Sequence, residues 1–236
     1  YSKINQLMKT KQEIVENWLP RYTGQPLEHF GQYILLTNFD NYVSMFADWH
    51  GVPVNGADRP MRNATADGIT IINFGMGSPN AATVMDCLSA SKPKGALFLG
   101  KCGGLKRKND IGDLILPIAA IRGEGTSNQD YWTGTVYTTN RRVWEWDEEF
   151  KAYLRKIRPQ AIDMETATIF ITAFKNKIPA GALLLVSDQP MVPEGVKTEV
   201  SDKVVTKNFV ELHLKIGIDS LRQLINNGMT VKHLRY

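Results

Sequence analysis

Ile69-Thr70-Ile71-Ile72-Asn73-Phe74-Gly75-Met76-Gly77-Ser78-Pro79-Asn80 joins an apolar strand to a helix through a glycine turn. The first six residues are largely β-branched or aromatic, so a buried strand is expected. Serine followed by proline marks a helix entry, and Ala81, Ala82, Val84, Met85 and Leu88 continue it. The pattern recurs along the chain. Tyr33-Ile34-Leu35-Leu36-Thr37 runs into Asn38-Phe39-Asp40-Asn41 and a helix through Tyr42, Val43, Phe46 and Trp49. Gly95-Ala96-Leu97-Phe98-Leu99 ends in Gly100-Lys101-Cys102-Gly103-Gly104, which reads as a second glycine turn. A strand over 113–121 leads to Arg122, and Ala182-Leu183-Leu184-Leu185-Val186 leads to Ser187-Asp188. Buried strands alternating with helices predict an α/β fold with a largely parallel or mixed sheet covered on both faces.

The flanking segments are less regular. Ile4, Leu7, Met8, Ile14, Val15 and Trp18 fall at helical spacing, giving a peripheral helix over 1–20 that Pro20 stops. Residues 50–68 read as loop with an edge strand, 134–139 as one strand, and 147–156 as a charged helix. Pro190, Pro193 and Gly195 make 190–201 a loop before a closing helix over 205–224, whose two apolar faces suit a subunit contact. The 236 residues form one domain on this reading, with no internal repeat.

Composition narrows the function classes. Net charge is +4, with no dense basic stripe, so nucleic acid is not an expected partner. Lys101, Lys106, Arg107 and Lys108 are the nearest approach, and a solvated turn explains them equally well. Two cysteines, Cys87 and Cys102, give no disulfide framework and suit a reduced compartment. Four scattered histidines offer no metal-ligand cluster. No apolar run reaches membrane-spanning length, and the polar N-terminus shows no secretion signal. The first residue is Tyr1, which suits a sequence beginning inside a longer chain.

The chemistry-bearing positions lie at strand ends. Ala161-Ile162-Asp163-Met164-Glu165-Thr166 places two carboxylates between apolar residues at a helix start. They read either as helix caps or as ligand-binding groups. Asp188 follows five apolar residues, with Ser187 available to orient it. Glycines 75 and 77 would let a ligand approach backbone amides. The spacing of neither glycine motif fits a dinucleotide fingerprint or a phosphate loop. Cys102 has no histidine nearby and reads as structural.

Together, Gly75-Met76-Gly77, Gly100-Lys101-Cys102-Gly103-Gly104, Met164-Glu165 and Val186-Ser187-Asp188 resemble the signature set of the purine nucleoside phosphorylase and nucleosidase superfamily. The resemblance runs from about Tyr33 to Leu224. Within the superfamily it is greatest to the catalytic domain of the bacterial AMP nucleosidases, through 134–139, 161–169, 186–190 and 213–218. It implies a three-layer α/β/α sandwich with a central mixed sheet. It further implies hydrolysis of AMP to adenine and ribose 5-phosphate, without cofactor or metal. Asp188 would protonate purine N7, Glu165 would bind the ribose hydroxyls, and Met164 would pack under the sugar. Trp144 and Tyr137 are candidates for stacking on the base, and a core role suits either equally. A cytoplasmic homo-oligomer, commonly a hexamer built from dimers, is implied too. Members of that branch usually carry a further N-terminal regulatory domain, which is not part of this sequence.

Departures from the family pattern argue against a free-phosphate site. The arginine that phosphorylases carry near the first strand is absent from Thr37-Asn38-Phe39-Asp40, and Phe98 and Lys101 stand at the second phosphate motif. Water as nucleophile fits, with Asp40 or Glu165 as candidate base. A 5′-phosphate would need donors, and Lys101, Arg122, Arg141, Arg142 and Asn80 are the candidates. The alternatives are a phosphorylase or nucleosidase for unphosphorylated nucleosides and a catalytically degenerate nucleotide-binding protein.

Overall fold

A computed structural model describes residues 10–117 and 132–227. Its first element is helix α1 (Lys11–Thr23), opened by a capping box between Thr10 and Glu13. Pro20 does not stop α1. Proline removes one helical donor, and the helix continues a further turn until Gly24, at φ +69°, donates to the Pro20 carbonyl at 2.8 Å. The remaining elements are β1 (Tyr33–Thr37), α2 (Asp40–His50), β2 (Asn63–Ala66), β3 (Ile69–Asn73), α3 (Ser78–Leu88), β4 (Gly95–Gly104), β5 (Leu114–Pro117), β6 (Trp132–Gly134), β7 (Val136–Thr138), α4 (Glu148–Ile157), β8 (Ala161–Asp163), α5 (Thr166–Lys175), β9 (Ala180–Asp188) and α6 (Glu199–Asn227).

The sheet runs β2-β3-β1-β4-β9-β5-β6, with β8 pairing both β4 and β7. It is mixed. β3, β1, β4 and β9 are parallel neighbours, whereas β2 runs antiparallel to β3 and β5 antiparallel to β9. Four parallel strands therefore deliver their C-terminal ends to one edge of the sheet, where an open α/β fold places its ligands.

Alternation along the strands sorts the core into two layers. Ile34, Leu36, Phe98 and Leu184 pack with Leu19 of α1, Val84 and Met85 of α3, and Ile169 of α5. Leu35, Leu99, Leu183 and Leu185 face the opposite way, onto Tyr42 and Phe46 of α2 and Leu214 and Leu221 of α6. Each such fully buried side chain contributes on the order of 2 kcal/mol. The result is the expected three-layer α/β/α sandwich. His213 ties α6 to both neighbours. Its Nε2 donates to the Leu183 carbonyl at 2.9 Å, leaving Nδ1 to accept from the Tyr42 hydroxyl at 2.8 Å. Burial drives the pKa of this imidazole down to about 4, so it is neutral.

Two local readings are corrected. Gly100–Gly104 is the second half of the ten-residue strand β4, not a turn. A Cβ on Gly103 would stand 2.8 Å from the Pro190 ring, and one on Gly104 would lie 3.0 Å from Asn109, so these glycines admit close packing against the strand. The expected strand over 134–139 is two: β6 pairs with β5 and β7 with β8. Between them the Thr135 carbonyl accepts from the Gln160 amide at 2.7 Å. The end of the expected strand over 113–121, with Arg122, lies outside the described residues.

Candidate active site

The strand ends surround an open cleft. Asn38 and Phe39 follow β1, Met76 follows β3, and Lys101–Gly103 belong to β4. Met164 and Glu165 follow β8, and Ser187 and Asp188 end β9. Thr139, Arg141, Arg142, Trp144, Glu145 and Lys197 complete most of the wall.

Glu165 is 2% exposed. Its Oε1 accepts from the Gly77 amide at 2.8 Å and its Oε2 from the Met164 amide at 3.2 Å. Burial raises its pKa to about 7, the nearby Asp163 charge adds to the rise, and hydrogen bonds from Gly77, Met164 and Asn38 oppose it. Gly77 therefore serves the site without lining the cleft: it holds the carboxylate in place. Its φ of +90° is open to glycine and strained for other residues. Ser78, in the first turn of α3, donates to the Met164 carbonyl at 2.9 Å and ties the same two segments together.

Asp163 has a structural task. Oδ2 accepts from the Thr166 amide at 2.8 Å and from the Thr166 hydroxyl, and Oδ1 accepts from the Thr138 hydroxyl at 2.7 Å. These bonds fix the start of α5 against β7, although burial still raises the pKa of the carboxyl. Asp188 accepts from the Ser187 hydroxyl at 2.7 Å. Burial raises its pKa most, and Glu145 adds to the rise. The Ser187 bond and the charges of Lys197 and Arg142 pull it back. A carboxyl so placed is suited to carrying a proton to a ligand.

Among the described residues, the cations that line the cleft are all engaged. Lys101, its side chain only 6% exposed, lies 3.1 Å from Asp202 and 3.2 Å from the Thr206 hydroxyl. Its ammonium also stands 4.7 Å from the centre of the Phe39 ring. Arg141 pairs with Asp147 at 2.8 Å, and Arg142 approaches Glu145 at 3.7 Å. Both arginines are about half exposed at the rim.

Other sequence candidates lie elsewhere. The Asn80 side chain donates to the Met76 carbonyl at 3.0 Å and braces the glycine turn outside the cleft. Asp40 binds the Asn73 amide at 2.8 Å and approaches Arg62 at 3.4 Å, again outside the cleft. Trp144 lines the cleft but is 4% exposed, packed edge-on against Phe150. Tyr137 packs against Phe150 and Tyr153 instead. Cys102 is buried, and burial holds its thiol well above the usual range, which disfavours a nucleophilic thiolate. Thr139, Glu145 and Lys197 were not singled out in the sequence. Thr139 directly follows β7, whereas Glu145 and Lys197 follow no strand-end motif and reach the cleft only through the folding of their loops. Among the described residues, no group of three or more His, Cys, Asp and Glu side chains is placed to hold a metal, and no helix is long and apolar enough to cross a membrane.

Residues 33–132 and 126–221 match the profile of the phosphorylase superfamily. The crystal structure of AMP nucleosidase from Bacteroides thetaiotaomicron is 52% identical, with a TM-score of 0.79, over 93% of this chain and 99% of that one. AMP nucleosidase of Escherichia coli K12 is 28% identical over 283 aligned positions, covering 89% of this chain. The chain spans only 58% of that relative's length. Uridine phosphorylase from Vibrio fischeri shares the fold at 19% identity and a TM-score of 0.69, over 84% of this chain and 93% of that one.

Proposed function

This chain belongs to the phosphorylase superfamily, on its AMP nucleosidase branch, and from that premise we propose that it hydrolyses AMP to adenine and ribose 5-phosphate. The observation that carries the reading is the convergence of Glu165 and Asp188 on one cleft, each at a strand end and each with a raised pKa. The ribose packs on Met164, and its hydroxyls donate to Glu165. Asp188, protonated, donates to purine N7. As the C1′–N9 bond breaks, its electron pair leaves with adenine, and positive charge develops on the sugar beside the Glu165 carboxylate. Water adds to C1′ and gives up a proton. Glu165, with a pKa of about 7, is suited to hold that water and accept its proton. Asp40 lies outside the cleft and is not needed.

Arg141 and Arg142 at the rim, with Lys101 deeper in, supply the cations for the 5′-phosphate. Asn38 braces Glu165. No cofactor or metal enters the scheme. We further propose a homo-oligomer, up to a hexamer. Val143, Trp146 and Ile171 are each more than two-thirds exposed, which supports an apolar contact between copies. Two free, buried cysteines support a cytoplasmic location.

Adenine release from AMP and from adenosine, each with and without inorganic phosphate, tests the reading. AMP is expected to be cleaved faster and independently of phosphate. Faster adenosine cleavage that requires phosphate would overturn it.

A further inference from the structure

Lys101 on β4 and Lys197 in the loop before α6 approach the same atom. Oδ1 of Asp202 lies 3.1 Å from the Lys101 ammonium and 2.8 Å from that of Lys197. The Thr206 hydroxyl, one turn further along α6, is 3.2 Å from Lys101. Both lysines line the cleft, and both are largely buried. Two ammonium groups around one oxygen, one of them also donating to the Thr206 hydroxyl, are a coordination that suits a phosphoryl oxygen. Here a carboxylate from the chain itself fills that place. The Asp202 side chain is 40% exposed, so it has a path to solvent by which it can yield the position.

We propose that Lys101, Lys197 and Thr206 form a phosphoryl-binding subsite whose affinity is set by Asp202, an internal competitor for the two ammonium groups. The charge balance gives Asp202 this control. With it in place the two lysines present one net positive charge to an arriving dianion, and without its charge they present two. Neutralising Asp202 therefore strengthens phosphoryl binding, whereas neutralising Lys197 weakens it. This assignment rests on the nucleotide reading above for its place in catalysis. The subsite itself rests on the distances around Asp202.

The ligand is either the phosphate of the nucleotide or free inorganic phosphate, and two measurements separate them. KM for AMP and for adenosine, and calorimetric titration with inorganic phosphate, are compared for the wild type, Asp202→Asn, Asp202→Ser and Lys197→Met. If the nucleotide's phosphate occupies the subsite, Asp202→Asn lowers KM for AMP at least tenfold and leaves KM for adenosine unchanged. If the free ion occupies it, Asp202→Asn tightens inorganic phosphate at least tenfold and makes it a competitive inhibitor of AMP. Either result supports the subsite, provided Lys197→Met in the Asp202→Asn background removes the gain. Folded Asp202 variants that change neither quantity overturn it, as does a gain that survives Lys197→Met. Should both Asp202 variants fail to fold, Lys197→Met alone decides: AMP or phosphate binding at least fivefold weaker is expected, and unchanged binding of both overturns the proposal. A wild type that releases no adenine from AMP removes the nucleotide reading, while the phosphate titration still decides the subsite.

Discussion

The amide of Gly77 donates to Oε1 of Glu165 at 2.8 Å, joining segments 88 residues apart. The bond makes the glycine motif after β3 a support for the carboxylate after β8. It also explains why glycine stands there: a φ of +90° with ψ 161° is a region that other residues enter only under strain.

Gly77→Ala isolates that relationship. A Cβ at this position would meet nothing closer than the Pro79 ring at 3.8 Å, so the cost is backbone strain, not collision. A stability loss of about 1–3 kcal/mol is expected. Moving the amide off Glu165 should also lower kcat/KM for AMP by at least about tenfold. Thermal unfolding and steady-state rates check the two effects together.

Glu165 couples activity to pH. Its pKa in the folded chain is about 7, above its ordinary value of 4.5. The acid limb of kcat/KM should therefore fall near pH 7, because the ionised form binds the sugar. For stability the sign is opposite. A carboxyl with a raised folded pKa contributes fully below pH 4.5, and that contribution is lost as pH rises through 7. Glu165→Gln should thus gain stability relative to wild type at pH 8 compared with pH 4, while losing about 10²-fold or more in kcat. Melting curves at the two pH values measure the first effect.

Asp188 and Ser187 should separate by kind of effect. Asp188→Asn removes the transferable proton and should lower adenine release by about 10²–10⁴-fold with the fold intact. Ser187→Ala removes a donor that favours the ionised carboxylate, so the Asp188 pKa rises further. The basic limb of the kcat profile should shift to higher pH in that variant. A pH–rate profile detects the shift.

Asp163 should report on the fold. Asp163→Ala leaves the Thr138 hydroxyl and the Thr166 amide and hydroxyl without their acceptor. A loss of roughly 2–4 kcal/mol is expected, seen as a lower denaturant midpoint. Asp163→Asn should recover part of it, since one amide oxygen still accepts.

The sheet was legible because its central strands are runs of buried apolar residues. β1 runs from Tyr33 to Thr37, as the sequence indicates. Glu165 and Asp188 read from position alone as either helix caps or ligand-binding groups; the family resemblance singled them out, and both line the cleft. Long-range packing hid the rest. Gly103 looks like turn chemistry until Pro190 is seen lying against it. Pro20 looks like a stop because one lost hydrogen bond is visible in sequence, whereas the turn that closes on Gly24 is not. Lys101 reads as an available cation, yet Asp202, a hundred residues later on α6, holds its ammonium. No local pattern carries that pairing, or the arrival of Lys197 beside it.

The central claim is that water, not phosphate, cleaves AMP in the cleft of Glu165 and Asp188. Phosphorus NMR of the wild-type protein with AMP and excess inorganic phosphate tests it most directly. Ribose 5-phosphate as the sole new phosphorus-bearing product, with the inorganic phosphate signal constant, is the expected result. Consumption of inorganic phosphate with formation of ribose 1,5-bisphosphate, or intact AMP under conditions where adenosine is cleaved, would contradict it.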